Sequence, residues 1–356
     1  REPPYITTLY AFLLQEYPMN RIIRVLLNIS ILFLISFSLF AGGNSENSSA
    51  ASSAQPAAQP ESEASPYPMT VTDGLGTQMV IGAQPESIAS LTLFTDEVLI
   101  DLLEPGMLAA VTFLSTDDTY SNVVDQAALV PVQMELNVEQ LIDLYPDIIF
   151  TANWSDAGKI DQLRQAGLTV YAVNTPFTME GIQQEILTLG RVLNRREAAE
   201  DLVAGMRERL AELESLVSDG VASGIIRPLS AIDYSNWGSA SGVDTTWQAL
   251  LEAAGVGNAA AALESGDFGQ VPISKEALVE IDPDVLVLPG FIWGDPQGAE
   301  NFLSEVVEDP ALSGVTAIRE DRVFLMPERL KSTYSQYIVD GAFFIARQVY
   351  PEVFPE

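Results

Sequence analysis

The sequence predicts an α/β fold of two Rossmann-like lobes, each a mainly parallel sheet with flanking helices, joined by one long backbone helix. Three observations support this prediction. Short apolar, β-rich runs alternate with helix-period stretches from residue 67 onward, as they do in parallel α/β folds. A helix–Pro-Asp–strand unit occurs twice, and a long helix-forming stretch over 179–220 separates the two copies.

The segments before residue 44 are typical of an exported protein. Residues 1–18 read poorly as a protein start and are predicted to be an upstream mis-start, because Met19 opens a better one. Residues 19–43 combine a basic stretch, an apolar run and small residues, which is the pattern of an export signal peptide. A membrane anchor over 25–41 remains the alternative. Gly42 stands where a lipoprotein needs Cys, so we expect no lipidation.

The rest of the chain divides into a tether and two lobes, and we expect it to be periplasmic or otherwise extracytoplasmic. Residues 44–66 are rich in Ser, Ala, Pro and Gln and are predicted to be a disordered linker. The N-terminal lobe is assigned to 67–178, the connecting helices to 179–220 and the C-terminal lobe to 221–356.

Within these segments the pattern predicts individual elements. The first lobe has strands at 87–93, 147–151 and 168–173, and helices at 96–103, capped by Thr95 or Asp96, and at 159–166. The connecting stretch breaks at Leu193-Asn194, and its second part carries an apolar stripe of Leu202, Met206, Leu210 and Leu213.

The internal repeat pairs residues 138–151 with 275–288. In both copies Pro-Asp ends a helix and leads into a buried strand, because proline cannot continue a helix. Each helix carries an acid in the same place, Glu139 in the first copy and Glu276 in the second. An acid in the first turn is stabilised by the helix dipole, which alone would explain either one. Their matching positions also suggest two acidic knobs that face one symmetric basic partner.

The composition excludes several chemistries. Lys and Arg number 17 against 49 Asp and Glu, a formal charge of −32, and the chain has no His and no Cys. Without these residues there is no Ser-His-Asp triad, no thiolate nucleophile, no disulfide and no imidazole or thiolate metal ligand. So acidic a chain is a poor nucleic-acid binder. We expect a binding protein with no resident cofactor or metal, and not an enzyme.

Candidate ligand-binding residues follow the predicted strands, because ligands of parallel α/β sheets bind beyond the carboxyl ends of the strands. Aromatic side chains there suit a broad, largely apolar ligand with a polar edge. Each Trp could equally anchor its own loop, and Arg329 could pair with a ligand anion or with one of the chain's own acids. The candidates are Phe94, Thr95, Tyr120, Trp154, Trp237, Phe291, Trp293, Arg329 and Tyr334.

Taken together, these residues resemble the substrate-binding proteins of ABC importers in the class that binds iron–siderophores, haem or vitamin B12. The resemblance covers about 69–352 and rests on the order and spacing of several motifs. They are 69–76, 85–91 with 95–103, 137–147, 274–284, 317–324 and 338–341.

The resemblance implies a monomer that binds a metal chelate between its lobes and delivers it to an ABC permease dimer. In this family one Glu per lobe docks onto permease arginines, a role that falls to Glu139 and Glu276 by position. Ser335-Gln336-Tyr337 stands where many members have Ser-Pro-Arg, and only Arg329 and Lys331 lie nearby as cations. An aromatic cleft with few cations favours a corrinoid or a neutral hydroxamate siderophore over a catecholate.

Two other functions remain open from the sequence. A ligand sensor or adhesion module would use the same cleft without a transporter, and the paired Glu residues favour transport over it. An enzyme would have to work through Asp, Glu, Tyr or Arg alone, and no tight constellation of these residues supports that reading.

Overall fold

The computed structural model describes residues 65–354. The predicted upstream segment, the export signal with its anchor alternative, and all but the end of the predicted linker therefore lie outside the described residues.

The N-terminal lobe is built on a parallel sheet. Its strands are β3 (Ile88–Ser90), β4 (Leu108–Thr112), β5 (Val132–Met134), β6 (Ile148–Ala152) and β7 (Val170–Val173), preceded by an antiparallel pair, β1 (Met69–Thr72) and β2 (Gln78–Ile81). Its helices are α1 (Leu93–Leu102), α2 (Val124–Ala127), α3 (Val138–Leu144) and α4 (Ala157–Gln165), with a 3-10 turn at Phe113–Thr116. The spatial order is β5-β4-β3-β6-β7. Every residue of β6 and β7 is buried, as expected of a parallel sheet covered on both faces.

Helix α1 begins earlier than the sequence indicated. The strand predicted at 87–93 ends at Ser90, and the helix predicted from 96 starts at Leu93. Neither Thr95 nor Asp96 caps it. Thr92 does, because its backbone is extended and its hydroxyl accepts a hydrogen bond from the Thr95 N–H at 3.0 Å.

Two helices connect the lobes, α5 (Met179–Val192) and α6 (Arg196–Ala222). The predicted break at Leu193-Asn194 is confirmed, since Asn194 has a left-handed φ of 54°. Helix α6 has 27 residues, a length of about 40 Å. Met206 and Leu213 of the predicted stripe are buried, and Leu202 and Leu210 pack against the same core at partial burial.

The C-terminal lobe repeats the plan with a smaller parallel sheet. Its strands are β8 (Ser230–Asp233), β10 (Gly257–Asn258), β12 (Val285–Pro289) and β13 (Val323–Met326), in the order β10-β8-β12-β13. A separate antiparallel pair is formed by β9 (Ser239–Ser241) and β11 (Gln270–Pro272). Its helices are α7 (Thr246–Ala253), α8 (Lys275–Ile281), α9 (Gly298–Glu308), α10 (Thr316–Arg319), α11 (Glu328–Lys331) and α12 (Ile338–Val349). Helix α12 returns to pack on α6 and α7. The predicted fold class is confirmed.

The Pro-Asp turn of the repeat ties neighbouring strands together in both lobes. Asp147 Oδ2 accepts the backbone N–H groups of Glu86 and Ser87 at 2.9 Å, just before β3, the strand that pairs with β6. Asp284 Oδ2 accepts the N–H of Ser230 at 3.0 Å at the start of β8, which pairs with β12. The repeated Asp therefore fixes the start of the adjacent parallel strand.

In the second lobe a cation reinforces the contact of Asp284 with the start of β8, which we call the Asp284 clamp. Arg227 Nη2 lies 2.7 Å from Asp284 Oδ1, and the Ser230 hydroxyl donates to Oδ2 at 3.1 Å. Burial alone would raise the pKa of Asp284, but the hydrogen bonds from Arg227 and Ser230 outweigh it and hold that pKa below its usual range.

We expect Asp284→Ala to lower the free energy of unfolding by about 1–3 kcal/mol at neutral pH, because it leaves the Ser230 N–H without its acceptor. A carboxylate with a depressed pKa contributes fully above its unfolded pKa of about 3.9 and loses that contribution as pH falls through its folded pKa. In urea unfolding, the difference in free energy of unfolding between the wild type and the variant should therefore be present at pH 7 and should narrow below about pH 3. The control is Glu280→Ala on α8, an exposed acid, and an equal loss in both variants would contradict the clamp.

Candidate ligand-binding cleft

Three tryptophans are exposed at the carboxyl ends of the parallel strands. Trp154 follows β6 and is 66% exposed, Trp237 follows β8 and is 65% exposed, and Trp293 follows β12 and is 56% exposed. The fourth, Trp247 in α7, is buried in the core at 2%. Large aromatic surfaces left open at one edge of two sheets are available to a ligand.

The two carboxyl edges meet in space. The ring of Tyr120, from the loop after β4, contacts Phe291, from the loop after β12, edge to face with centroids 5.8 Å apart. Phe291 in turn contacts Trp293 at 6.2 Å. Asn122 Nδ2 donates to the Arg329 carbonyl across the lobes at 3.0 Å. The structure thus brings together Tyr120, Phe291, Trp293 and the backbone of Arg329.

Trp154 is oriented within the first lobe. Its indole N–H donates to the Thr175 hydroxyl at 3.0 Å, in the loop after β7, and Thr175 also bonds the Asn153 side chain at 3.2 Å. One edge of the ring is held while its face stays open to solvent, which is the arrangement of a ready contact surface.

Two of the sequence candidates are not available to a ligand. Phe94 is 1% exposed and Thr95 is fully buried, which contradicts the prediction that they line the cleft. The reason is the early start of α1, which places both in its first turn, facing inward. The Thr95 hydroxyl bonds those of Ser90 and Thr92 at 2.6 and 2.8 Å.

Tyr334 is half-buried by the same arrangement. Its ring stacks on Phe94, with centroids 5.4 Å apart and planes 21° apart. Burial, and then the nearby carboxyls of Glu97 and Asp96, raise the pKa of Tyr334 well above its usual range. The phenol therefore stays protonated at neutral pH and can act as a hydrogen-bond donor.

A carboxylate that sequence reasoning missed joins the lobes beside this stack. Glu97 Oε1 accepts the backbone N–H and the side-chain amide of Asn122 at 3.0 and 2.8 Å. Its Oε2 accepts the hydroxyls of Thr333, at 3.2 Å, and Ser335 from the other lobe. Gln336 Nε2 donates to the Glu97 carbonyl and to Asp101 Oδ2, both at 2.8 Å. We call these residues the lobe seam.

The residue next to it is an unusual buried acid. Asp96 Oδ2 accepts the N–H and the hydroxyl of Thr112 at 3.0 and 2.6 Å, and among the described residues Oδ1 has no partner. Burial raises the pKa of Asp96 to about 8, although the hydrogen bonds from Thr112 work in the opposite direction. The protonated form therefore fits this site better than the carboxylate.

Glu139 and Glu276 are both exposed in the first turns of α3 and α8. Lys159 at the start of α4 donates to the Leu136 carbonyl at 2.9 Å, and the Ile273 N–H donates to the Gly238 carbonyl at 2.8 Å. These contacts put the starts of α3 and α8 at the carboxyl edge of each sheet. The backbone N–H of Glu276 and, to a lesser extent, the Ser274 hydroxyl hold the pKa of the Glu276 carboxyl below its usual range.

The fold and the open aromatic edges between two lobes define a solute-binding protein of the two-lobed type. The chain belongs to the periplasmic binding protein family, whose family model, "Periplasmic binding protein", matches residues 88–330. This is a family of extracytoplasmic substrate-binding proteins of ABC transporters, which bind small molecules and are not enzymes. No helix among residues 65–354 has the length and apolar character needed to cross a membrane.

Similar proteins are found by sequence and by structure. A Bacillus subtilis protein, the uncharacterized ABC transporter substrate-binding lipoprotein YvrC, is 26% identical over 298 residues, 82% of this chain and 88% of the relative. The cobalamin-binding protein of Halobacterium salinarum is 29% identical over 62% of this chain and 58% of its own length. The molybdate-bound MolA structure from Haemophilus influenzae shares the fold, with a TM-score of 0.64 at 20% identity over 80% of this chain and 92% of that one.

We expect Asp96→Asn to flatten the pH dependence of stability. An acid whose folded pKa is raised gives its full stability below the unfolded pKa of about 3.9 and loses it as pH rises through the folded pKa. Between pH 5 and pH 9 the melting temperature of the wild type should fall by roughly 3 °C or more relative to the variant. Asp125→Asn, an exposed acid in α2, is the control, and parallel melting curves for wild type and Asp96→Asn would contradict the assignment.

Proposed function

We propose that this protein binds a metal chelate, an iron–siderophore complex or a cobalamin-like corrinoid, in the cleft between its lobes and delivers it to an ABC permease dimer. The observation that carries the proposal is the exposure of Trp154, Trp237 and Trp293 at the carboxyl ends of three strands. A broad aromatic surface suits a large chelate with an apolar shell.

The cations near the cleft favour neutral chelates over polyanionic ones. Lys331 is paired with Asp233 at 2.9 Å, and Arg329 is an exposed cation with no ion pair among the described residues. One unpaired arginine is a weak match for a polyanionic catecholate, since such a ligand needs several convergent cations. The Halobacterium relative is named a cobalamin-binding protein, which agrees with a neutral corrinoid.

The proposal extends to the rest of the molecule. The chelate is cargo, with no resident cofactor, and the protein acts as a monomer. Residues 19–43 direct export or anchor the chain, residues 44–66 hold the lobes away from the membrane, and the lobes span 67–178 and 221–356 around the helices of 179–220.

Native mass spectrometry and absorbance of the purified full chain test the ligand class, after separate incubation with cobalamin, a ferric hydroxamate and a ferric catecholate. We expect retention of one coloured chelate at one-to-one stoichiometry. Trp154→Ala and Trp293→Ala should each weaken that binding by about tenfold or more, since a buried aromatic contact is a common binding hot spot. Leu129→Ala removes an exposed apolar side chain elsewhere and should bind as the wild type does. Failure to retain any chelate would refute the proposal.

Docking is tested by reversing the acids of the two helices. Glu139→Lys and Glu276→Lys should leave chelate affinity unchanged and abolish binding of the loaded protein to membrane vesicles from its native cells, because each places a cation opposite a basic partner. Asp143→Lys on α3 and Glu280→Lys on α8 make the same charge change near the other end of each helix and should still bind. Equal losses of membrane binding in all four variants would show that net charge is the cause, and would contradict a docking role specific to Glu139 and Glu276.

A further inference from the structure

An ion pair lies across the middle of the carboxyl edge in the C-terminal lobe. Asp233 is the last residue of β8, and Lys331 is the last residue of α11, directly after β13. Lys331 Nζ lies 2.9 Å from Asp233 Oδ2. Since β12 lies between β8 and β13 in the sheet, the pair spans the end of that central strand. Phe291 and Trp293 follow the same strand, so the pair lies beside the aromatic edge.

The carboxylate is fixed independently of the lysine. Asp233 Oδ1 accepts the Ser241 N–H and Oδ2 accepts the Ser241 hydroxyl, both at 2.7 Å, and both donors belong to β9. Asp233 is 3% exposed, whereas the Lys331 side chain is 21% exposed. The acid is therefore part of the cleft wall, and Lys331 is the more accessible of the two side chains.

The lysine remains charged but is electrically compensated. Burial alone would lower the pKa of Lys331, but Asp233 and then Glu328 outweigh it and raise that pKa above its usual range. An ammonium that already shares its charge with a fixed carboxylate attracts an incoming anion weakly. Without the carboxylate, the same group would be a partly desolvated cation, where electrostatic interactions are stronger than in water.

We propose that Asp233 is a specificity-determining residue: by neutralising Lys331 it sets the cleft to accept neutral chelates and to reject polyanionic ones. This inference rests on the proposed function, because it concerns the charge preference of the same cleft. A single acid-to-amide change at position 233 would then convert a neutral wall into a cationic one.

The test measures dissociation constants by quenching of tryptophan fluorescence in the full chain. The probes are a neutral ferric tris-hydroxamate and a ferric tris-catecholate, which is a trianion. If the wild type retains a corrinoid, the probes are instead cobalamin, as the neutral one, and its monocarboxylate, as the anionic one. Asp233→Asn should raise affinity for the anionic probe relative to the neutral one by about tenfold or more. The control, Asp340→Asn, frees Arg209 of a 2.7 Å pair between α12 and α6 and makes the same net charge change. Its ratio of anionic-probe affinity to neutral-probe affinity should stay within about twofold of the wild-type ratio.

Two further variants keep the inference testable if Asp233→Asn does not fold. Lys331→Met leaves the carboxylate uncompensated and should favour a cationic ferric hydroxamate with a free ammonium over the neutral one. Asp233→Asn with Lys331→Met should restore the wild-type ratio. An unchanged ratio in Asp233→Asn, or in Lys331→Met where the first variant does not fold, overturns the role of Asp233 while the proposed function stands. Absence of binding of every probe to the wild type overturns both.

Discussion

The relative placement of the two lobes depends on the carboxylate of Glu97. It lies on α1 of the first lobe and accepts hydrogen bonds from Asn122 of its own lobe and from Thr333 and Ser335 of the other. Burial raises its pKa, and the bonds from Ser335 and Asn122 oppose that rise. A buried carboxyl with hydroxyl and amide donors but no ion pair among the described residues is stable only while all its donors are in place. Opening the lobes at this point would separate the Glu97 carboxylate from its donors Thr333 and Ser335.

The lobe seam and helix α6 restrict different movements. A continuous helix of about 40 Å sets the distance between the lobes, and the lobe seam sets their rotation beside the cleft. The contact of Tyr120 with Phe291 is then held by structure on both sides rather than by the rings alone. A cleft fixed in this way loses little conformational freedom when a ligand binds, which favours affinity for rigid ligands of matching shape. Metal chelates are rigid ligands of this kind.

The sequence predicted those features that local pattern controls. Alternating apolar runs, the Pro-Asp repeat and the break at Asn194 each depend on a few neighbouring residues, and the fold class followed from them. Phe94 and Thr95 were misplaced because the end of a strand and the first turn of a helix look alike in sequence when the turn between them is short. Glu97 and Asp233 were missed because each acquires its role from partners far along the chain, Ser335 and Lys331. A buried acid has no local signature that separates it from a solvated one.

The acidic composition explains how carboxylates came to perform so many tasks here. With 49 acids and 17 basic side chains, most acids have no cation available and must be satisfied by N–H and O–H donors or by water. Donors at a partly exposed strand start, as at Asp284, stabilise the charged form and lower its pKa, whereas full burial at Asp96 favours the neutral form. The first kind of site loses stability as pH falls below about 4, and the second loses stability as pH rises from about 4 to about 8. Glu139 and Glu276 are both exposed, so their carboxylates are accessible to a partner.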